Sequence, residues 1–143
     1  MVTQIRIPEE EKEKMEEVVE NLKWFFEEKN IKFEVDGPEV DEDGTVYVYF
    51  NFNGRVEFTE EQFDDFIVLL EDGLGFYNAN GAENQIANYI GYKEWLVYDE
   101  YRHHSKDVVV YLKYYEVQAN ETRIYLDHVT VATNTVHYEE EVR

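Results

Sequence analysis

The chain has no cysteine and a single serine, Ser105, in 143 residues. Without cysteine there is no disulfide framework, no thiolate nucleophile and no cysteine-ligated zinc. The lone serine has no GxSxG context, so serine nucleophile chemistry drops out as well. No apolar run approaches the ~18 residues of a membrane span, and the N-terminus lacks a basic-then-apolar signal pattern. Neither feature is at odds with a cytoplasmic protein. Positive charge is scarce too: 13 Lys and Arg stand against 33 Asp and Glu, a net charge of −20.

That charge argues against nucleic acid, anionic lipid and most phosphorylated substrates as direct ligands, because the field repels them. The same field attracts basic partners. It is lopsided: residues 1–72 hold 22 acids and 7 bases, residues 73–143 hold 11 and 6. An approaching basic surface is oriented towards the N-terminal half. A hydrophobic content of 43% with 16% aromatics argues against disorder. The length suits one domain, spanning 1–143, with a real core.

The stretch Pro8 to Lys29 dominates the chain. Met15, Val18, Val19, Leu22, Phe25 and Phe26 recur at the i, i+3, i+4, i+7 spacing of one helical stripe. Pro8 suits a first helical turn, the glutamates after it suit the positive end of the helix dipole, and Asn30 is a stop. Opposite the stripe, Glu10, Glu13, Glu17, Glu20, Glu27 and Glu28 fall within about 60° of the far side. Trp24 falls among them. A solvated face with Trp24 covered by neighbouring chain accounts for this pattern. So does a partner-binding ridge, because Trp is enriched among interface anchors.

Further along, IKFEV (31–35) alternates as a half-buried strand does, and DGPEVDEDG (36–44) reads as an acidic loop with Asp41, Glu42 and Asp43. TVYVYFNFNGRVEF reads as a hairpin turning on Asn53-Gly54, the pair that a type I′ turn favours. Thr59 to Gln62 has the form of a capping box. It opens a second helix to about Asp72 that buries Phe63, Phe66, Ile67 and Leu70 and exposes Glu60, Glu61, Asp64 and Asp65. Residues 73–81 read as loop and 82–90 as a short helix. From Tyr92 onward the Val-, Tyr- and Thr-rich runs predict four strands with turns at 103–106, 118–120 and near Asn134. The expected fold is α+β, amphipathic helices on antiparallel sheet in the order α-β-β-β-α-(α)-β-β-β-β, ending in a four-stranded meander.

Candidate chemistry is sparse. Asp41, Asp43 and Gly44 lack the alternating carboxylates and twelfth-position Glu of a calcium loop. Gly73, Gly75 and Gly81 match neither nucleotide fingerprint, and there is no HExxH. His137 and Glu139 share a strand face, with His128 expected on the neighbouring strand. These three and Trp95 are the candidate lining of a small-molecule or acid–base pocket. Twelve tyrosines suit sheet packing, and also a binding surface or the edge of a homo-oligomer.

The segment Gln85–Tyr101, QIANYIGYKEWLVYDEY, resembles part of the ArdA-type antirestriction proteins, acidic DNA mimics made by mobile elements. The resemblance covers under an eighth of the chain, carries no site residues, and implies a mimic.

The leading expectation is a non-enzymatic, cofactor-free inhibitor that occupies the basic channel of a nucleic-acid-handling protein. Glu13, Glu17, Glu20 and Glu27 rise by roughly 4.5 to 10 Å per step at 1.5 Å per residue, against 3.4 Å for the phosphates of one duplex strand. A single helix therefore under-samples a phosphate row. Acids of loop 36–44 and of the second helix must fill in.

Overall fold

The computed structural model describes residues 2–6, 9–42, 44–79, 86–133 and 137–141. Expectations for Pro8, Asp43, Gly81, residues 82–85 and Asn134 lie outside the described residues, as do the side chains of His137 and Glu139.

Among the described residues, two helices form as their periodicity dictates. Helix α1 spans Glu9–Glu28, and all six residues of its apolar stripe are buried. It stops at Asn30, whose φ of 58° begins a left-handed exit. The Asn30 N–H donates to the Glu27 carbonyl at 3.0 Å and the Ile31 N–H to Phe26 at 2.9 Å, the paired bonds of a Schellman motif. Helix α2, Glu60–Val68, opens with the expected capping box: Thr59 Oγ1 accepts from the Gln62 N–H while Gln62 Oε1 accepts from the Thr59 N–H. A π-helical turn, Leu69–Gly73, extends it and keeps Leu70 and Leu74 buried.

The strands are β1 (Val2–Arg6), β2 (Phe33–Val40), β3 (Val46–Phe52), β4 (Val56–Thr59), β5 (Phe76–Asn78), β6 (Ile86–Gly91), β7 (Glu94–His103), β8 (Val108–Gln118), β9 (Thr122–Thr133) and β10 (His137–Glu141). Eight form one antiparallel sheet in the order β2-β3-β9-β8-β7-β5, with β4 also on β9 and β6 also on β7. The helices and this sheet make an α+β fold weighted towards sheet.

Several expectations are corrected by this pairing. Asn53-Gly54 closes no hairpin, because β3 and β4 both lie antiparallel to β9, opposite 129–133 and 123–126. They form one interrupted strand. Residues 51–55 leave the β9 ladder where β9 spends only Asp127 and His128, while Asn51 and Phe52 stay paired with β2, and β9 has its own irregularity there against β8. A long Val- and Thr-rich partner thus outweighs a favourable turn dipeptide. The acidic loop begins later than expected: β2 continues to Val40 through an irregularity between Asp36 and Glu39, with Gly37 at φ 109° and a cis bond to Pro38. Phe76–Asn78 pairs with β7 instead of looping, because Phe76 has a core site to fill. Ile86–Gly91 is a strand and not a helix, folded back on β7 through a turn at Tyr92–Lys93. The last strand leaves the meander. Both sides of β9 are already occupied, by β8 and by β3 with β4, and β10 pairs with β1 in a separate two-stranded sheet.

Alternation along the strands sorts the large sheet into two faces. Val46, Val48, Phe50, Leu112, Tyr114, Leu126, Val129 and Val131 point to the helices and join the stripes of α1 and α2 in one core. Phe26 is the hub. Its ring lies 5.1 to 5.8 Å from the rings of Phe25, Phe33, Phe50, Phe52 and Phe66. The other face carries Tyr47, Tyr49, Tyr111, Tyr115 and Tyr125. Val35, Phe33 and Pro38 of edge strand β2 stand beside α1 across open grooves, so the helix layer does not cover that edge.

Candidate functional site

Both helices pack on the same face of the sheet, and their outer surfaces form one layer. Burial of Phe25, Phe26 and Phe66 against each other fixes the helices side by side, with Phe25 and Phe66 at 5.4 Å. Burying those rings forces the intervening polar positions outward. Glu10, Glu13, Glu17, Glu20, Glu27, Glu28, Glu60, Glu61, Asp64 and Asp65 are all exposed. Trp24 is 57% exposed, on the far side from the core as its helical angle required. It stands beside α2, facing Val68, which is 53% exposed.

Between them runs an open trough of about 460 Å³, lined by Trp24, Phe25, Glu28, Lys29, Asp65, Val68 and Leu69. Lys29 is its one cation. Its Nζ lies 3.8 Å from an Asp65 carboxylate oxygen and 5.5 Å from the centre of the Phe25 ring. Two lysines of α1 are turned onto their own helix, Lys14 to Glu17 at 3.3 Å and Lys23 to Glu20 at 3.2 Å. These exposed i, i+3 pairs are worth at most about 0.5 kcal/mol each. They leave the layer acidic.

The fold therefore gathers Trp24, Glu28 and Asp65 at one place and separates the others from it. Glu10 lies at the opposite end of α1, where Lys106 of the β7–β8 turn approaches to 2.8 Å. That hydrogen bond, then the lysine's charge, holds the Glu10 carboxyl below its ordinary range. Asp41 braces the β2–β3 turn. One of its carboxylate oxygens accepts from the Thr45 N–H at 3.0 Å, and its carbonyl accepts from the Gly44 N–H at 3.0 Å. Glu42 is exposed on that turn. Glu60 and Glu61 occupy the first turn of α2, where the helix dipole favours them. Val68, Leu69 and Lys29 were missed by the sequence reading. Val68 carried a signal, since the stripe that buries Phe66 and Leu70 turns it outward.

The alternative pocket does not assemble. Trp95 packs against the core, on the helix side of the sheet. His128 lies on the other face, with Nε2 2.5 Å from Thr130 Oγ1 and its ring 5.9 Å from that of Tyr49. Burial, the largest influence, lowers its pKa. His137 and Glu139 lie on β10, which neighbours β1 and not β9. Among the described residues, no group of three or more His, Asp or Glu is placed to hold a metal ion, and no helix is long and apolar enough to cross a membrane. Asp99, a buried carboxylate that accepts from the Tyr114 hydroxyl at 2.7 Å, carries no signal in the sequence. Burial and then the Asp99 charge push that phenol well above its ordinary pKa.

What the layer offers chemically is negative charge at short spacing around one exposed indole, on a surface free to meet another macromolecule. The bases near the tyrosine face are engaged locally: Arg55 lies 3.7 Å from the Tyr115 ring centre, Lys113 meets Asp127 at 3.3 Å, and Arg123 meets Glu121 at 2.8 Å. Comparison with protein-family profiles, with curated proteins and with solved structures gives no match to this chain.

Proposed function

We propose that this chain is a non-enzymatic protein-binding module of the cytoplasm whose helical layer occupies a basic surface on a nucleic-acid-handling protein, standing in for the nucleic acid. One observation carries the reading. Segments 10–29 and 60–73 lie on one face and hold 14 acids against 4 lysines, and three of those lysines are already held by acids of the same layer. Field lines from such a face steer a basic channel towards it.

Two adjacent helices also answer the spacing problem that a single helix poses. Acids of α2 stand beside those of α1, so the layer presents more than one row. A duplex mimic must compete with duplex. The test is capture of lysate proteins on the immobilised chain at about 50 mM salt, followed by elution with added duplex DNA or with about 200 mM salt. The reading expects basic nucleic-acid-binding proteins that either eluent releases. Retained proteins that ignore the duplex, or no retained basic protein, would remove the mimicry.

A second reading has its own observation. Met15, Val19, Val35, Pro38, Val46 and Val48 line an apolar groove of about 250 Å³ between α1 and β2, rimmed by Lys12, Glu16, Glu20 and Lys23. A small apolar ligand seated there would raise the melting temperature by mass action, and a thermal-shift screen that finds none removes this reading.

A further inference from the structure

We infer that the trough between α1 and α2 accepts one apolar side chain of a basic amphipathic helix, whose lysines or arginines meet the carboxylates on the two rims. The inference rests on the docking-face reading above and specifies which partner that face takes.

Two exposed apolar side chains from different helices face each other here, with Phe25 and Leu69 between them. Trp24 is the kind of residue that anchors interfaces, and exposure of both it and Val68 leaves apolar area for a partner to cover. Glu28 and Asp65 border the trough, one from each helix, and Glu61 and Asp64 are exposed elsewhere on the same second helix. Lys29, the cation present, is already drawn to Asp65. An acidic apolar partner would meet these carboxylates at close range. A basic one completes them.

The shape selects among basic occupants. The trough is shallow and open, so a small molecule in it keeps its outer side in water, whereas a macromolecule covers the whole of it. Its walls are helical, and they offer no strand edge. An extended peptide would therefore find no row of backbone partners, while a helix brings its own hydrogen bonds and needs only side-chain contact.

The test uses the full chain and two helical peptides of about 18 residues, some 27 Å long. They carry the same positive charge and differ only at one central position, Leu or Ser. Titration calorimetry at low and moderate salt gives both affinities. The Leu peptide is expected to bind about tenfold more tightly, the worth of partly burying one Leu side chain. Trp24→Ala and Val68→Ser should each shrink that preference to about twofold without changing the salt dependence, and Trp24→Phe should restore most of it. Both positions are exposed, so the variants keep the fold. Equal, salt-sensitive binding of the two peptides would overturn the inference and leave the docking face standing. So would a Leu preference that survives both substitutions. If neither peptide binds at low salt, the docking-face reading falls and takes this inference with it.

Discussion

Replacing Phe26 by alanine should remove more stability than any other single truncation on α1. The ring is fully buried and touches five other phenylalanine rings drawn from α1, β2, β3 and α2. Few neighbours can collapse into the space, because each is itself held by other core contacts. Phe→Ala in a core costs about 3–5 kcal/mol, more where the site cannot relax, so Phe26→Ala belongs near the top of that range. Phe33 is the control. It is half-buried and meets the Phe26 and Phe50 rings, and Phe33→Ala should cost about half as much. In urea denaturation with a slope of about 2 kcal/mol/M, Phe26→Ala should lower the midpoint by about 2 M with the slope unchanged. Phe26→Leu, which fills most of the volume, should cost about 1–2 kcal/mol and guards against a variant too weak to measure. Equal costs at positions 26 and 33, or a cost below about 1 kcal/mol for Phe26→Ala, would refute the placement of this ring at the junction of the two layers.

Three further outcomes are expected. Thr59→Ala should lose about 1 kcal/mol by emptying the capping box, and Thr59→Ser should recover it, as urea midpoints will show. Gly54→Ala should cost about 1–2 kcal/mol for its positive φ alone, as a Cβ there meets nothing within 4 Å; Gly37→Ala should cost more, because at φ 109° its Cβ would also lie 2.6 Å from the Tyr47 carbonyl oxygen. The third outcome concerns pH. Burial lowers the His128 pKa from its ordinary 6.5, so between 6.5 and the lowered value the unfolded chain binds more protons and stability falls as pH falls through that window. His128→Gln should flatten that part of the stability–pH curve, and an unchanged curve would deny that the imidazole is desolvated.

The helices were legible because each is periodic and locally capped. Asn30, Thr59 and Gln62 act within a few residues of where they stand, so their roles can be read without knowing the fold. The sheet was legible strand by strand from Tyr92 to Thr133 and not in its pairings. Nothing local tells Asn53-Gly54 that β9 is long enough to take both β3 and β4, or tells His137 that both sides of β9 are occupied. Those outcomes depend on competition between distant partners. The same holds for the site. The angle of Trp24 on its helix followed from arithmetic, but Val68 became its neighbour only once Phe25 and Phe66 had packed. Residues 82–90 suggest a helix because a short apolar run is ambiguous in isolation, and pairing with β7 makes Ile86–Gly91 a strand.

On the function proposed above, the acidic helical layer, and not the tyrosine face of the sheet, meets the partner. Repeating the low-salt capture with two variants of the chain tells the two faces apart. One carries Glu13, Glu17, Glu20, Glu27 and Glu28→Gln with Asp64 and Asp65→Asn; the other carries Tyr49, Tyr111 and Tyr115→Ser. The first should lose the basic proteins that the unaltered chain retains, and the second should keep them. Retention by the first variant together with loss by the second would contradict that reading.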